Sequence, residues 1–512
     1  MKQIITILLT IGIFFNAYSQ FIYTKQGDKR NAFTSVLEEE NTQNLLVTCS
    51  NYTFNASLNY ANATTCILKI SPNGIMLDSV NIPGNIIVAG KIYYHNHFYY
   101  IYGVEYSSTV ANNRLSYPTI LKYDQQFNLI KKLKIDSLQN VFTPTYQNTT
   151  IINNKLYVSF LEDIAVASSA RIYKLSLNLI IEDSTYIKSS NLYSMTKQGD
   201  NLLIAGNDLQ GIIFNRAQVL KIDTSFNAIS IFNFDSLTNS PTSCGTKVGI
   251  MDYINLIEIS NSTYYAAGFY PVPYDNICSD DNQAVYGIVK NNSQILKGKQ
   301  YGTTGGIREG AQNNSSMVDR QGKYIYNTCI SDLTDPIVMG INYTPTSILT
   351  AKIDTSGNLV WQKYFNTPNY YYEPLAVAAT SDSGVVVSGM RYNTLMPAFI
   401  DAFEGFILKY DKNGNQVMAN LKELYQPFAD VILFPNPATN KSYLKFNNID
   451  ELGIAEITIV NNIGQLVNHY KTPLVTGHNS IEIDTKLLSN GLYYIELSTQ
   501  TGSVTQKFSV IK

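Results

Sequence analysis

The sequence predicts an all-β protein in two parts, and three observations carry that prediction. One strand–turn–strand phrase recurs seven times between residues 67 and 419. The segments around it alternate apolar and polar residues and are punctuated by Gly, Asn, Asp and Ser, the pattern of half-buried strands joined by tight turns. Beyond residue 433 the phrase stops, and a different run of short alternating strands continues to the last residue, 512. A chain of this length has material for a sizeable core plus a second, smaller unit.

The repeated phrase reads "ILKISPNGIMLDS" from residue 67, "ILKYDQQFNLIKK" from 120, "IYKLSLNLIIEDS" from 172, "VLKIDTSFNAISI" from 219, "GIVKNNSQILKGK" from 287, "TAKIDTSGNLVWQ" from 350 and "ILKYDKNGNQVMA" from 407. Aligned on Lys69, Lys122, Lys174, Lys221, Lys290, Lys352 and Lys409, the copies stand 47 to 69 residues apart by subtraction of those numbers. Each is a β-hairpin signature, with Gly74, Gly357 and Gly414 at the turn position that needs a positive φ. An apolar strand precedes each hairpin, among them "QNLLVTCS", "NKLYVSF", "DNLLIAG" and "SGVVVSG". A further strand before it, such as "LAVAAT" at 375–380, gives about four strands per repeat. Four antiparallel strands repeated seven times describe a seven-bladed β-propeller. A lone blade leaves both faces uncovered, so blades stack, and a ring leaves no end blade exposed. Residues around 21 to 35 are expected to supply the closing strand; an open solenoid is the alternative.

At the N-terminus, Lys2, an apolar run from Ile4 to Phe15 and small residues Ala17 and Ser19 make residues 1–19 a secretory signal peptide, with the mature chain starting at Gln20. A membrane anchor is the competing reading, but the run is about twelve residues where a spanning helix needs about twenty. No transmembrane segment is expected in the mature chain. Charged residues are 15% and the formal net charge is -2, which removes the electrostatic footprint of a nucleic-acid partner or an anionic membrane surface. Of the five cysteines, Cys49 and Cys66 fall on neighbouring strands, Cys244 and Cys278 flank a polar insertion, and Cys329 stands apart. Either pairing is open, and no C-x-x-C spacing suggests a thiolate metal site.

Chemistry is thinly signalled. Turns such as Asp354 to Asn358 and Asp411 to Asn415 lack the closing bidentate acid of a calcium loop and read as hairpin turns. His95 and His97 align with a turn and have no third ligand in view. "YGTTGGIREG" lacks the lysine and hydroxyl of a phosphate loop and reads as a link. Glu258, Asp280 and Asp281 are acids of the kind a glycosidase pairs, but spacing in sequence does not set separation in space. No catalytic residue, cofactor or metal is therefore assigned. The 38 tyrosines suit either strand packing or ligand stacking. Tyr370, Tyr371 and Tyr372 are expected in a link between blades, which makes them the candidates for ligand contact.

The stretches "KQYGTTGGIREGAQNNSSMVDRQGKYIYNT" and "IDTSGNLVWQKYF" resemble the Gly- and Trp-marked repeats of large secreted proteins of Gram-negative bacteria, with Trp361 the sole tryptophan kept. At the other end, Pro435 and Pro437 in "LFPNPATN" lack donors and suit an edge, and the short strands that follow describe a small Ig-like β-sandwich. This region resembles the type A C-terminal sorting domain of the type IX secretion system. The matching residues are Phe434, Pro435, Asn436 and Pro437, then Gly464, Gln465 and Val467, then Leu487 or Leu488, Gly491 and Tyr493, and finally Lys507, Phe508 and Lys512. Asn461 and Asn462 depart from the aromatic and Asp common before that first glycine.

The resemblance implies Sec export through the periplasm, recognition of the C-terminal domain by the type IX machinery, and delivery to the outer-membrane surface or the medium. Phe434, Pro435, Asn436, Pro437, Gly464, Gly491, Tyr493 and Lys507 would carry the sorting signal. The expected organisation is a signal peptide at 1–19, a propeller at 20–424, a linker at 425–433 and the sorting domain at 434–512. For the propeller the expected role is binding an extracellular glycan or protein. A secreted carbohydrate-active enzyme and a structural extracellular protein are the alternatives.

Overall fold

The computed structural model describes residues 21–23, 30–54, 60–72, 74, 76–84, 86–88, 91–106, 116–135, 141–142, 148–162, 169–188, 191–207, 217–234, 252–274, 277–300, 309–319, 321–331, 344–395, 403–417, 428–448, 453–461, 465–498 and 503–512. The expected signal peptide lies outside these residues, as does Cys244. The chain divides into two units, Met1–Asn420 and Leu421–Lys512. Among the described residues the elements are all strands, and every named pair is antiparallel.

In the first unit these strands form seven sheets. The first holds Arg30–Glu38, Leu45–Phe54, Tyr60–Ile70 and Met76–Ile82, in that order across the sheet. The next five repeat the arrangement around the central strands Phe98–Tyr106, Lys155–Glu162, Asn201–Asn207, Thr263–Tyr274 and Tyr324–Ser331. The seventh takes Tyr370–Ala379, Val385–Asn393 and Phe403–Tyr410 from its own stretch of chain. Its fourth strand is Phe21–Tyr23, with Phe21 opposite Ile407 and Tyr23 opposite Gly405. A strand near residues 21 to 35 was expected to do this, and the pairing follows from the seventh repeat having only three strands of its own.

The core lies in layers between successive sheets, because central strands such as Phe98–Tyr106 and Tyr324–Ser331 are buried on both faces, while edge strands such as Met76–Ile82 and Leu129–Lys134 are largely exposed. Leu46, Ile67, Ile101 and Leu121 join the first sheet to the second. Tyr102, Val104, Leu156 and Phe160 join the second to the third, and Tyr326, Ile348, Val387 and Leu408 join the sixth to the seventh. The seventh sheet in turn lies against the first: Arg30–Glu38 packs on Tyr370–Ala379, and Glu38 Oε2 accepts the N–H of Ser381 at 2.7 Å.

Two features of the repeated phrase acquire a physical role. In "D-x-x-G-N" turns the aspartate closes the hairpin: Asp411 Oδ1 accepts the N–H groups of Asn413 and Asn415 at 2.8 Å, and Oδ2 accepts the Asn415 amide at 3.0 Å. The same set recurs at Asp124, Asp223 and Asp354. These carboxylate oxygens are spent on N–H donors, so the turn is complete without a cation. At Asp124 and Asp223 the amide of the asparagine four residues on, with the backbone N–H groups, holds the carboxyl below its usual range.

At three of its seven positions the repeated lysine reaches from one sheet to the next, while Lys69 and Lys409 pair with Glu39 and Asp382 of their own sheets. Lys122 Nζ donates to Leu177 O at 2.9 Å, Lys174 Nζ to Thr224 O at 3.1 Å, and Lys352 Nζ to Ser383 O and Lys412 O at 3.2 and 3.1 Å. Tyrosines do the same from buried rings. Tyr100 donates to Leu177 O at 3.1 Å, Tyr286 to Gly357 O at 2.9 Å, and Tyr326 to Ser383 O. A buried large side chain contributes roughly 1.5–3 kcal/mol, and its hydroxyl must find a partner. For these three hydroxyls a carbonyl at a neighbouring turn is the acceptor within reach, one use the unit's strands make of their preference for Tyr.

That preference corrects one expectation. Tyr370, Tyr371 and Tyr372 do not lie in a link; they open the strand Tyr370–Ala379. Tyr371 is 4% exposed and Tyr372 fully buried, the latter packed edge-on against Phe365 and Phe406. The run of three aromatics concealed the strand's alternation; Tyr371 and Tyr372 are packing, while Tyr370 is half-buried with Arg391 4.3 Å over its ring.

In the second unit, Phe428–Phe434, Lys441–Asn448 and Gly477–Asp484 form one sheet. Leu466–Leu474, Gly453–Asn461, Gly491–Ser498 and Ser503–Val510 form the other. Leu444, Phe446 and Ile483 of the first share one core with Ile457, Ile459, Ile495, Leu497 and Phe508 of the second. Residues 428–433, expected as linker, are strand, with Leu433 opposite Leu444. The prolines that follow end this strand; they do not begin the unit.

Candidate functional site

The F-P-N-P segment leaves the strand Phe428–Phe434 and turns onto the last strand of the chain. Both X-Pro bonds, Phe434-Pro435 and Asn436-Pro437, are cis. Asn436 is the hinge pin: its Oδ1 accepts the N–H of Ser509 at 3.0 Å and the Ser509 hydroxyl at 3.2 Å, and its Nδ2 donates to Lys507 O at 3.2 Å. Ala438, fully buried, continues the contact. Its N–H donates to Ser509 O at 2.8 Å and its carbonyl accepts Ile511 N–H at 2.9 Å. Ser442 Oγ donates to Pro435 O at 2.9 Å. A segment with two donorless prolines is thus held through the one side chain between them that carries both donors and an acceptor.

The other expected residues surround this junction. Phe434 is 42% exposed, its ring 6.3 Å from that of Tyr443 and capped by Lys445 Nζ at 4.5 Å. Tyr493 is buried against Phe508, centroids 5.7 Å apart, and its hydroxyl donates to Ser489 O at 3.0 Å. Gly491 stands opposite Val510. A Cβ there would meet nothing nearer than Tyr493 Cε2 at 3.9 Å, so space alone does not demand glycine. Lys507 is exposed, and its backbone carbonyl serves Asn436. Gly464 lies outside the described residues. Sequence reasoning missed Ser509 and Ala438, whose roles rest on backbone groups meeting a segment some seventy positions away along the chain.

In the first unit, hairpin tips of the third, fourth and fifth sheets border an open cleft of about 500 Å³. Asn153, Lys197, Asp200, Glu258 and Asn261 line it. Glu258 Oε1 accepts Gly199 N–H at 2.6 Å and its Oε2 lies 3.6 Å from Lys197 Nζ. Asp200 Oδ1 accepts the Asn153 amide at 3.1 Å. The lining mixes amides, a cation and two carboxylates, chemistry suited to polar ligands rich in hydroxyls. Glu258 and a second acid, Asp200, thus line one cleft, which spacing along the chain did not reveal. The side chains of Asp280 and Asp281 lie outside the described set. His95 Nε2 is 3.2 Å from Asn154 Oδ1, and His97 Nδ1 is 3.4 Å from Gln125 Nε2. Among the described residues no three His, Cys, Asp or Glu side chains cluster as metal ligands.

No curated protein matches the chain. Solved structures similar to it include Penicillium chrysogenum α-L-arabinanase complexed with arabinobiose, at 10% identity over 77% of this chain and 98% of that one, TM-score 0.38. Another is the β-propeller domain of the Trilobed protease from Pyrococcus furiosus, at 12% identity over 67% and 97%, TM-score 0.30. A third is a subtype N10 neuraminidase-like protein of A/little yellow-shouldered bat/Guatemala/060/2010, at 11% identity over 75% and 96%, TM-score 0.32. Likenesses at these scores say nothing of this chain's chemistry. The second unit is different: residues 432–512, from the F-P-N-P segment to the strand that receives it, match the family described as secretion system C-terminal sorting domain, which implies recognition by the type IX machinery and export to the cell surface or extracellular space.

Proposed function

We propose that the protein is an exported binding module. Residues 1–19 direct Sec export, residues 20–424 form a seven-bladed β-propeller that binds a glycan or a protein outside the cell, and the Ig-like sandwich at the C-terminus is the sorting signal. The observation that carries the export reading is the seating of Asn436 on the last strand within the matched stretch. Seven sheets in chain order, the seventh against the first, support a closed ring. No helix among the described residues is long and apolar enough to cross a membrane.

The cleft at Asn153, Lys197, Asp200, Glu258 and Asn261 is the proposed ligand surface. The test incubates the purified full chain with a panel of insoluble polysaccharides and surface glycans and scores retention. Selective retention, reduced by Asp200→Ala and Asn261→Ala, is the expected result; uniform failure to bind would sink the glycan reading in favour of a protein partner or a structural role. Two carboxylates in one cleft keep a hydrolase as the second reading. Release of soluble sugar from a retained glycan, abolished in Glu258→Gln, would favour it.

A further inference from the structure

Cys49 and Cys66 stand directly opposite each other on the adjacent strands Leu45–Phe54 and Tyr60–Ile70. Opposed residues of an antiparallel pair have Cα atoms about 4.5–5.5 Å apart and side chains on the same face. A disulfide spans Cα separations of about 4.4–6.8 Å. The next pair along the ladder, Ser50 and Thr65, brings its side-chain oxygens to 3.0 Å, so these strands do place opposed side chains in contact. Both cysteines are buried, Cys49 at 0% and Cys66 at 8% exposure. Cys329, by contrast, faces Ala311 and Leu349 across its ladders.

We propose that Cys49 and Cys66 form a cross-strand disulfide once the chain leaves the cytoplasm. The proposal rests on the export reading for its oxidising surroundings and on the register for its pairing. The oxidant is an external disulfide. One cysteine thiolate attacks a sulfur of that disulfide, giving a mixed disulfide and releasing one thiol. The second cysteine then attacks the mixed disulfide, releasing the other thiol. Two protein S–H groups and one external S–S bond thus become one protein S–S bond and two external thiols. Because the folded sheet covers both sulfurs, this exchange belongs to the folding chain.

The test uses the full-length protein recovered from the cell surface or medium, alongside the same chain refolded in oxidised and reduced glutathione. Each sample is denatured in the presence of an alkylating agent, since burial alone would hide a thiol in the native sheet, and then digested with trypsin. No Lys or Arg falls between Asn31 and Lys69, so one peptide carries both cysteines. The expected result in both samples is that peptide, unalkylated and lighter by two hydrogen atoms, taking up two alkyl groups only after reduction. Cys66→Ser should leave Cys49 open to alkylation without reduction. Two alkylated thiols in both unreduced samples, or linkage of either residue to another cysteine, would overturn the pairing. A bond in the refolded sample alone would overturn its formation in the cell, and localisation of the same protein would then judge the export reading separately.

Discussion

The hydroxyl of Tyr286 shows how one residue joins two sheets. Burial, with a smaller contribution from nearby Asp354, pushes its phenol up to about 12, against about 10 in an unfolded chain. The folded state therefore holds this proton more tightly. Its contribution is complete below pH 10 and declines as pH rises through 12. Unfolding followed by circular dichroism should show stability falling over that window, with a shallower fall in Tyr286→Phe; an unchanged slope would refute the assignment. Asn436 works by similar means at the other end of the chain. Asn436→Ala removes three hydrogen bonds to the last strand, each worth roughly 0.5–1.5 kcal/mol net of the exchange with water. Faster hydrogen exchange at the Ser509 amide, together with reduced export, is the expected outcome. Neither role is visible from composition, because a tyrosine or an asparagine carries no mark of which distant carbonyl it will meet.

At the scale of the element, alternation and turn chemistry made the hairpins legible. Asp411, Gly414 and Asn415 announce their turn because the local chain supplies both donors and acceptor. Strands whose register depends on neighbours were harder. Tyr370–Tyr372 reads as a cluster, since burial on both faces removes the polar alternate, and the cleft at Asp200 and Glu258 assembles from tips of separate sheets. Glycines record the same non-local packing. A Cβ at Gly405 would stand 2.5 Å from the Phe33 ring, and at Gly389 2.1 Å from Glu373 O. Gly405→Ala should cost about 1–3 kcal/mol by overpacking, and Gly389→Ala more, because backbone yields less than a ring. Chemical denaturation of the two variants should rank them so. Lys352→Met removes one of two donors at each of Ser383 O and Lys412 O, which Tyr326 and Trp361 continue to serve, and loss of these two buried-lysine hydrogen bonds should lower the melting temperature modestly. Lys69→Met should do less, since its pairing with Glu39 at 3.0 Å leaves the Lys69 side chain 27% exposed and reachable by solvent.

For the whole molecule, the sequence announced repetition and a distinct tail, both of which are local patterns summed over length. What repetition does not encode is how the first unit ends. Replacing Phe21–Tyr23 by glycines should lower the unfolding temperature and expose the edge of Phe403–Tyr410 to proteolysis, while leaving the sheets before it intact; equal loss in all sheets would contradict the pairing. That same pairing sets a timetable. The segment holding Phe21 is made first, yet its partner Ile407 comes only after all the intervening strands have been synthesised. A contact of such long sequence separation is slow to form, though the entropy of closing so large a loop grows only slowly with its length. The earlier segment therefore waits, unpaired, until the later one has been made, so the seventh sheet is completed only when nearly the whole first unit is available to fold.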